Sequence, residues 1–397
     1  MNANVNVVER VIGLDSHPDT FTAALLRGPT PAAAIVEKVF DKVALGRLSG
    51  WAQKHTTPQD LFVLEASGNS FHVVRALAEI GRRALVLESC HLGKLKETHA
   101  SNDKISAVRI GKAYLAGTAR EVWVPDPKTQ ERRDLFLAYG KASKRTTQLR
   151  NRIKSYLSDQ GVRLPRGTTL AKGTPFERSM VLQAKAWAPM QRELIEGLLL
   201  ELRQAEEQRR RWRSLMAQEV LADPQLLSLT RLCGIRETIA FALGAIIGDI
   251  HRFADPKKLV KYIGLNPAFD DSGQERWSGG IGGHGRKDLR SLLIEAAHAV
   301  WRSSHPLARW GRMLLARKSS LKLAVAAMAR KLAVAIWYLM MGRWTPLEEI
   351  DARLSLKVGR MISHLGAERL NQLGRTRRTC RQEVERLLRT GRAYASG

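Results

Sequence analysis

Short apolar runs alternate with polar segments along the N-terminal part of the chain. Apolar runs of this length, bounded by turn residues, are typical of buried β-strands. They occupy residues 8–15, 20–26, 34–40, 61–65, 83–88 and 121–125. Between them, segments 45–54 and 71–80 have the length and spacing of helices, although Gly46 and Gly50 weaken the first. Strands interrupted by helices predict an α/β sheet with parallel members.

Two long helical segments follow, residues 128–160 and 176–218, with a Gly- and Pro-containing linker between them at 161–173. Apolar residues at a spacing of three and four form a short, imperfect coiled-coil seam in the second segment. The seam consists of Leu198, Leu202, Ala205, Trp212 and Met216. The same spacing is equally typical of a helix packed against its own domain. Both interpretations stay open at this point.

The C-terminal half is predicted to be mainly helical around one glycine-rich loop. Residues 226–248 read as two helices joined by a Gly-containing turn, as in helix-hairpin-helix motifs that bind phosphates through backbone N–H groups. Residues 264–285 contain seven glycines and are predicted to form a shaped loop. The apolar segment 291–343 is expected to form the core beneath it. The basic residues after 346 predict a mobile arm that orders on nucleic acid.

The net charge indicates the class of partner. The 397 residues carry a formal net charge of +27, and the pI is about 10.6. A surplus of this size is costly unless a polyanion neutralises it, so nucleic acid is the expected partner. Proteins that merely coat nucleic acid seldom carry 44% hydrophobic residues. The residues predicted to contact nucleic acid are Arg145, Arg150, Lys154, Arg276, His284, Arg286, Lys287 and Arg290.

Cysteine spacing and hydropathy restrict the remaining classes. Cys90, Cys233 and Cys380 are far apart and form no CxxC pair, which argues against a zinc site and a disulfide framework. No signal-peptide pattern is present, and charged residues interrupt the most apolar stretch, 321–341. We therefore expect a cytoplasmic, nucleoid-associated protein without membrane contact. The length predicts two or three domains.

Acidic residues end two predicted strands and begin one predicted helix. Asp15 and Glu65 stand at strand ends, where the functional crevice of an open α/β sheet lies. Carboxylates on such a base can bind Mg²⁺, although Asp15 alone would equally suit a turn cap. Asp103 begins a helix that is capped by Ser101 or Asn102. It can bind a cation or only stabilise the helix dipole, and the spacing leaves both interpretations open.

The glycine-rich segment also contains a candidate nucleophile. Ser272 belongs to a Ser-Gly pair, and Ser278 is the second choice. A serine hydroxyl attacks when a nearby group accepts its proton and cations stabilise the charge of the transition state. A Ser-Gly pair is most often only a turn, and spacing alone favours that interpretation.

Two combinations of these segments resemble a known family. The first is a strand ending in Leu-Asp at 15, a strand ending in Leu-Glu-Ala-Ser-Gly at 68, and a helix opening Asn-Asp-Lys-Ile-Ser-Ala at 102. The second is Tyr-x-Gly-Leu-x-Pro at 262, followed by Ser-Gly at 272 and Gly-Arg-Lys-x-Leu-Arg at 285. Together they resemble DEDD insertion-sequence transposases, the IS-one-ten family, whose better-known members are bridge-RNA-guided recombinases.

The resemblance implies a fold and a division into domains. The fold is an α/β RuvC-like (RNase H-like) domain, a helical coiled-coil linker and a mainly α transposase domain. The corresponding ranges are 1–165 for the RuvC-like domain with its basic helices, 166–221 for the linker, 222–345 for the serine-bearing domain with its helix-hairpin-helix-like segment, and 346–397 for a basic tail.

The resemblance also implies a catalytic centre. Asp15, Glu65 and Asp103 would bind Mg²⁺ or Mn²⁺, and Ser272 would attack a DNA phosphodiester and hold the strand as a phosphoserine. The family's fourth Asp, three residues after the third, is Ser106 here. Either three acids suffice, or Asp19 or a substrate phosphate supplies the missing ligand, or catalysis is weakened.

The implied partners are double-stranded DNA (element ends and target), a structured guide RNA, and further copies of the chain in a dimer or tetramer. Two alternatives stay open. One is a RuvC-like nuclease that uses metal-activated water and forms no covalent adduct. The other is a nucleic-acid-binding relative that has lost metal binding and catalysis.

Overall fold

The computed structural model describes residues 10–89, 102–165, 170, 174–272, 275–281, 284–343 and 353–390 of the chain. The chain divides into two compact units, residues 1–126 and 127–397. Val8, Cys90 and Ser101, which the sequence interpretation used, lie outside the described residues. The domain boundaries given above stay predictions.

The first unit contains a six-stranded mixed sheet. Its strands are β1 Val11–Ser16, β2 Thr20–Arg27, β3 Ile35–Ala44, β4 Leu61–Glu65, β5 Arg83–Leu87 and β6 Glu121–Val122. Their order across the sheet is β3-β2-β1-β4-β5-β6. Strands β1, β4 and β5 are parallel, whereas β2, β3 and β6 pair antiparallel with their neighbours. The predicted α/β sheet with parallel members is therefore confirmed.

Helices cover both faces of this sheet, which explains why the central strands read as continuous apolar runs. The helices are α1 Leu48–His55, α2 Ser70–Glu79 and α3 Asp103–Leu115. On one face Ile12, Leu14 and Phe62 pack in a cluster with α1 and α2 residues. On the other face Val11 and Val63 share a cluster with α3 residues.

The second unit is mainly helical, as predicted. Its helices are α4 Pro127–Asp159, α5 Pro175–Gln183, α6 Pro189–Ala222, α7 Pro224–Leu229, α8 Glu237–Ile247, α9 Pro256–Ile263, α10 Lys287–Trp301, α11 Pro306–Lys318, α12 Leu321–Met340, α13 Leu354–Gln372 and α14 Arg377–Thr390. The predicted hairpin over 226–248 is α7 and α8, joined by a segment that contains Gly234 in the left-handed region (φ 85°).

The apolar seam on α6 is buried within the chain itself. Leu198, Leu202 and Ala205 belong to a cluster with α4 residues such as Ile153. Met216 belongs to the main core of the unit. Of the two interpretations left open by the sequence, packing against its own domain describes these four side chains.

Two predictions for the C-terminal half are wrong in part. The glycine-rich segment, predicted to be a shaped loop, contains an antiparallel hairpin of β7 Pro267–Ser272 and β8 Glu275–Ile281. Within the basic tail, residues 354–372 and 377–390 are helices whose apolar side chains, such as Ile362 and Leu388, are buried in the main core. This part of the tail is therefore folded, because its apolar residues pair with the core while its arginines face outward.

Helix α12 is long and apolar enough to cross a membrane by length and composition. However, 67% of its apolar window is buried inside the chain. Met328, Leu332 and Ile336 all lie in the main core. This burial is typical of the central helix of a helical domain.

A buried carboxylate links three helices of the second unit. Glu237, at the start of α8, is almost fully buried. Its Oε1 lies 2.8 Å from Arg213 Nη2 on α6 and 3.0 Å from His364 Nδ1 on α13. Burial alone would raise the pKa of Glu237, but the hydrogen bond with His364 and the charge of Arg213 outweigh it and lower the pKa to about 2 from an ordinary 4.5.

We expect Glu237→Gln to lower the free energy of unfolding by roughly 3 kcal/mol at neutral pH. The carboxylate stabilises the fold above its unfolded pKa of 4.5, and this contribution is lost as pH falls towards 2. Urea unfolding of the unaltered protein and of Glu237→Gln, from pH 7 down to pH 3, measures this contribution. The difference between their free energies of unfolding should shrink as the pH falls. Glu207→Gln, which breaks an exposed pair with Arg203, should cost less than about 1 kcal/mol. Equal losses for the two variants would contradict this.

Candidate active site

The carboxyl edge of the central strands carries the first candidate residues. Strand β1 pairs in parallel register with β4 up to Leu14 and Leu64, so Asp15 and Glu65 follow at the same edge. Ser16 Oγ donates to Asn69 Oδ1 (3.0 Å), and Asn69 Nδ2 donates to the carbonyl of His17 (2.7 Å). These bonds fix the turn after β1 to the loop after β4.

Helix α3 brings the third predicted acid to this edge. Asn102, one of the two predicted caps, is its N-cap, because its side chain accepts a hydrogen bond from Ile105 N at 2.9 Å. Asp103 therefore lies in the first turn. The helix lies directly on β1 at Gly13, where an added Cβ would stand 2.0 Å from the carbonyl oxygen of Ala107. Only a residue without a side chain permits this approach.

Asp15, His17 and Asp103 come together at this edge. Each offers one ligand atom, and these atoms all lie within 4.8 Å of one another. His17 Nε2 lies 3.4 Å from Asp103 Oδ1 and 4.0 Å from Asp15 Oδ2. Two of the three predicted acids thus converge, although 88 residues separate them in sequence. Among the described residues Glu65 is not part of this group, and it lies at the end of the neighbouring strand.

The surroundings of Asp15 are partly buried and mixed in charge. Burial raises the pKa of the Asp15 carboxyl, and the nearby Asp103 carboxylate raises it as well. The charges of His17 and Arg109 and a hydrogen bond with Ser106 act in the opposite direction. The pKa remains above its ordinary value. A cation at this point would offset the repulsion between the two carboxylates.

Ser106 stands where the resembling family places its fourth acid. It is buried, and its side chain hydrogen-bonds with Asp15. Arg109 Nη2 lies 3.5 Å from Ser106 Oγ. The substitution of an acid by serine therefore leaves a polar contact to Asp15 instead of a second carboxylate on the same helical face.

The donor atoms of the group fit a divalent cation. Carboxylate oxygens suit Mg²⁺ and Mn²⁺, whereas an imidazole nitrogen is a more usual ligand of later transition metals. Asp19, named from the sequence as a possible extra ligand, is exposed in the turn and is not part of the group. His17 was missed by the sequence interpretation. Its position two residues after Asp15 was the available signal, because alternate residues of an extended segment face the same side.

The second candidate residue, Ser272, ends strand β7. Its backbone pairs with Glu275 at the closed end of the hairpin, whereas Ser278 pairs with Phe269 further back. Arg276, a predicted nucleic-acid contact, lies opposite Asp271 in the backbone register near the same end.

The open end of the hairpin is held together tightly. Gly264 (φ 79°) and Gly285 (φ 88°) lie against each other, and a Cβ on Gly285 would stand 2.7 Å from Gly264 Cα. Arg290 Nη1 donates to the carbonyls of His284 (2.7 Å) and Gly264 (3.3 Å). Arg330 donates to the carbonyl of Leu265 at 3.0 Å. Ser272 is thus presented at the far end of a hairpin with a fixed base.

Several predicted nucleic-acid contacts form ion pairs within the chain. Arg145 pairs with Glu201, and Arg150 pairs with the buried Glu206. Arg286 Nη2 lies 2.6 Å from Asp288 Oδ2. Lys154, His284 and Lys287 are exposed, whereas Arg290 is half-buried and donates to backbone carbonyls. Their contact with nucleic acid stays a prediction.

Comparisons with known proteins show similarity to transposases. The model of the transposase IS116/IS110/IS902 family matches residues 227–310, which include the hairpin and Ser272. The transposase for insertion sequence element IS1111A of Coxiella burnetii is 26% identical over 284 residues, 70% of this chain and 77% of that protein. A probable family 20 transposase of Pseudomonas aeruginosa is 27% identical over 288 residues, 71% of this chain and 84% of that protein. A putative transposase, y4qE, of Sinorhizobium fredii is 22% identical over 312 residues, which are 70% of this chain and 74% of that protein.

Proposed function

We infer from the family match and these relatives that the chain is an IS110-type DNA transposase of an insertion sequence, and we propose how it acts on DNA. In this proposal the first unit supplies an acidic metal site, and the second unit supplies Ser272 as the nucleophile. The convergence of Asp15 and Asp103 on one sheet edge is the observation that chiefly supports it.

The metal site would be held by Asp15, Asp103 and His17, with Glu65 available from the neighbouring strand end. When bound, Mg²⁺ or Mn²⁺ would neutralise a phosphate and help a hydroxyl to ionise. The sheet edge holds these residues on a rigid base, because the turn of His17 is bonded to Asn69. The Ser106 hydrogen bond orients the Asp15 carboxylate.

Ser272 would supply the nucleophile. Its hydroxyl oxygen would form a bond to the phosphorus of a DNA phosphodiester while the bond from phosphorus to the leaving deoxyribose oxygen breaks. The proton of the serine is lost to the surroundings, and the leaving oxygen takes one up. The cut strand is then held as a phosphoserine, and attack by a second DNA end would rejoin it.

The remaining parts of the proposal concern fold, partners and assembly. The first unit would be RuvC-like, which its acids at adjacent parallel strand ends support. A guide RNA follows from the family resemblance, and the +27 charge fits such a polyanion. A dimer or tetramer would use α6, where Met190, Leu194 and Leu200 are exposed apolar residues. The enzyme would work in the cytoplasm on DNA of the nucleoid.

We expect Ser272→Ala to abolish the covalent protein–DNA adduct, because alanine has no hydroxyl to bond to phosphorus. Labelled element-end DNA, incubated with protein and Mn²⁺ and separated on a denaturing gel, measures the adduct. Ser278→Ala is the matched control on the same hairpin and should retain it.

Persistence of the adduct in Ser272→Ala would contradict the assignment, and its loss in Ser278→Ala alone would transfer the role to that residue. Cleavage by the unaltered protein without any adduct would favour the metal-dependent nuclease that uses activated water.

A further inference from the structure

A run of arginines on α6 faces the kink of α13 in the second unit. The run is Arg209, Arg210, Arg211 and Arg213, with Trp212 inside it. Together with residues 363–369 it lines a cleft of about 900 Å³. Neither candidate catalytic group is part of this cleft.

The kink shapes one wall of the cleft. Gly366 departs from the helical conformation (φ 81°, ψ 165°) inside α13. The carbonyl of Leu365 next to it accepts a hydrogen bond from Ser214 Oγ on α6 at 2.9 Å. Beneath this contact, Glu237 joins Arg213 and His364. The wall is therefore fixed to α6 at several points and does not depend on exposed side chains alone.

The acids near the cleft are mostly neutralised by internal contacts. Glu206 is buried and is paired with Arg150 and Arg209. Glu237 is paired with Arg213 and His364. Glu368 is the one remaining carboxylate among the lining residues.

Three lining arginines keep their positive charge unpaired. Arg210 Nε donates to the backbone carbonyl of Glu206, Arg211 lies over the ring of Trp212, and Arg369 Nη1 donates to Gln372 Oε1. Within the part of the chain that the structure describes, none of the three forms an ion pair with a carboxylate. Guanidinium groups in this state retain donors for an anion, and they bind phosphate oxygens in a planar, bidentate manner.

We propose that this cleft binds the phosphodiester backbone of nucleic acid. Concentrating arginines around a shaped cavity is costly unless an anion enters it, whereas a merely solvated basic surface would need neither the kink nor the buried triad beneath it. The proposal deepens the proposed function, on which it rests for the choice of nucleic acid as the anion. It assigns backbone contact to Arg210, Arg211 and Arg369.

The test removes these charges together and measures binding without catalysis. The variant is Arg210→Gln/Arg211→Gln/Arg369→Gln. The matched control, Arg317→Gln/Lys318→Gln/Lys322→Gln, removes three charges that are equally part of the second unit and are exposed. Anisotropy titrations of labelled duplex DNA and of a labelled RNA hairpin are carried out in EDTA over a series of salt concentrations.

We expect the cleft variant to lose affinity about tenfold or more, and its plot of log K against log salt to become less steep by roughly two to three. The control should keep the slope of the unaltered protein. The variant Arg210→Lys/Arg211→Lys/Arg369→Lys should retain most of the slope of log K against log salt, because it keeps the charge and loses only the bidentate geometry.

Loss of slope with both probes supports a shared backbone site, and loss with only one assigns the cleft to DNA or to RNA. Equal behaviour of the cleft variant and the control would overturn the proposal. Because EDTA removes metal chemistry, this assay measures binding alone and does not depend on the adduct proposed for Ser272. Failure of the catalytic proposal is thereby distinguished from failure of the cleft.

Discussion

Asp103→Asn is expected to lower the rate of metal-dependent DNA cleavage by roughly 10²–10⁴-fold, because a metal ligand contributes to several kcal/mol of charge stabilisation. Asparagine has nearly the same size and keeps the first turn of α3. Because Asp103 raises the pKa of Asp15, removing its charge relieves repulsion and should leave the fold stable. Single-turnover cleavage measures the rate, and the electron paramagnetic resonance of Mn²⁺ measures binding.

The matched control for this prediction is Glu79→Gln, which removes one exposed negative charge at the end of α2 in the same unit. It should leave Mn²⁺ binding and cleavage within about twofold. If Asp103→Asn bound Mn²⁺ as tightly as the unaltered protein, the group of Asp15, His17 and Asp103 would not be the metal site. In the proposed arrangement, His17→Ala weakens Mn²⁺ binding, because it removes the imidazole and preserves both carboxylates.

Strands and helices with strong local signals were predictable from the sequence. The run 61–65 is β4 to the residue. Helix α3 begins after the predicted cap Asn102 and ends at Leu115. In both cases apolar pattern and terminal residues agree, so that tertiary contacts only add to a local preference.

The hairpin and the tail were not predictable in the same way. Strands β7 and β8 carry few apolar residues, and β8 contains Gly279 and Gly280, which hides the alternation of a strand. Gly273 between the two short runs is a turn-forming residue and was the weaker signal. In the tail, arginines are interspersed with apolar residues such as Val358 and Val384, and the apolar side chains are buried and decide the fold.

The site depends on tertiary geometry that spacing does not contain. Asp15 and Asp103 were singled out from the sequence, and the structure brings their side chains together. His17, in the turn after β1, was not singled out. The approach of α3 to β1 occurs at Gly13, a residue that no motif singled out. Its importance follows only from the position of Ala107 across from it.

Gly13→Ala is therefore expected to lower both the free energy of unfolding and the affinity for Mn²⁺. Its Cβ would stand 2.0 Å from the carbonyl oxygen of Ala107 and 2.9 Å from the backbone nitrogen of Gly111. Both atoms belong to helical backbone, so α3 must move away from β1. Overpacking of this kind costs about 1–3 kcal/mol or more of unfolding free energy. Because α3 carries Asp103, the same movement should separate Asp103 from Asp15 and weaken Mn²⁺ binding about tenfold or more.

Two glycine variants separate this geometric effect from a general intolerance of alanine. At Gly111 an added Cβ meets Leu26 Cδ1 at 2.7 Å, the end of a flexible side chain, so Gly111→Ala should destabilise less and retain Mn²⁺ binding. Gly50 lies in α1 with nothing within 4 Å, so Gly50→Ala should stabilise the fold by roughly 0.5–1 kcal/mol. Urea unfolding and Mn²⁺ titration of all three variants test the order. Gly13→Ala could lose stability and still bind Mn²⁺ normally. In that case Mn²⁺ binding would not depend on the distance between β1 and α3, and Asp103 would not be a ligand of the cation.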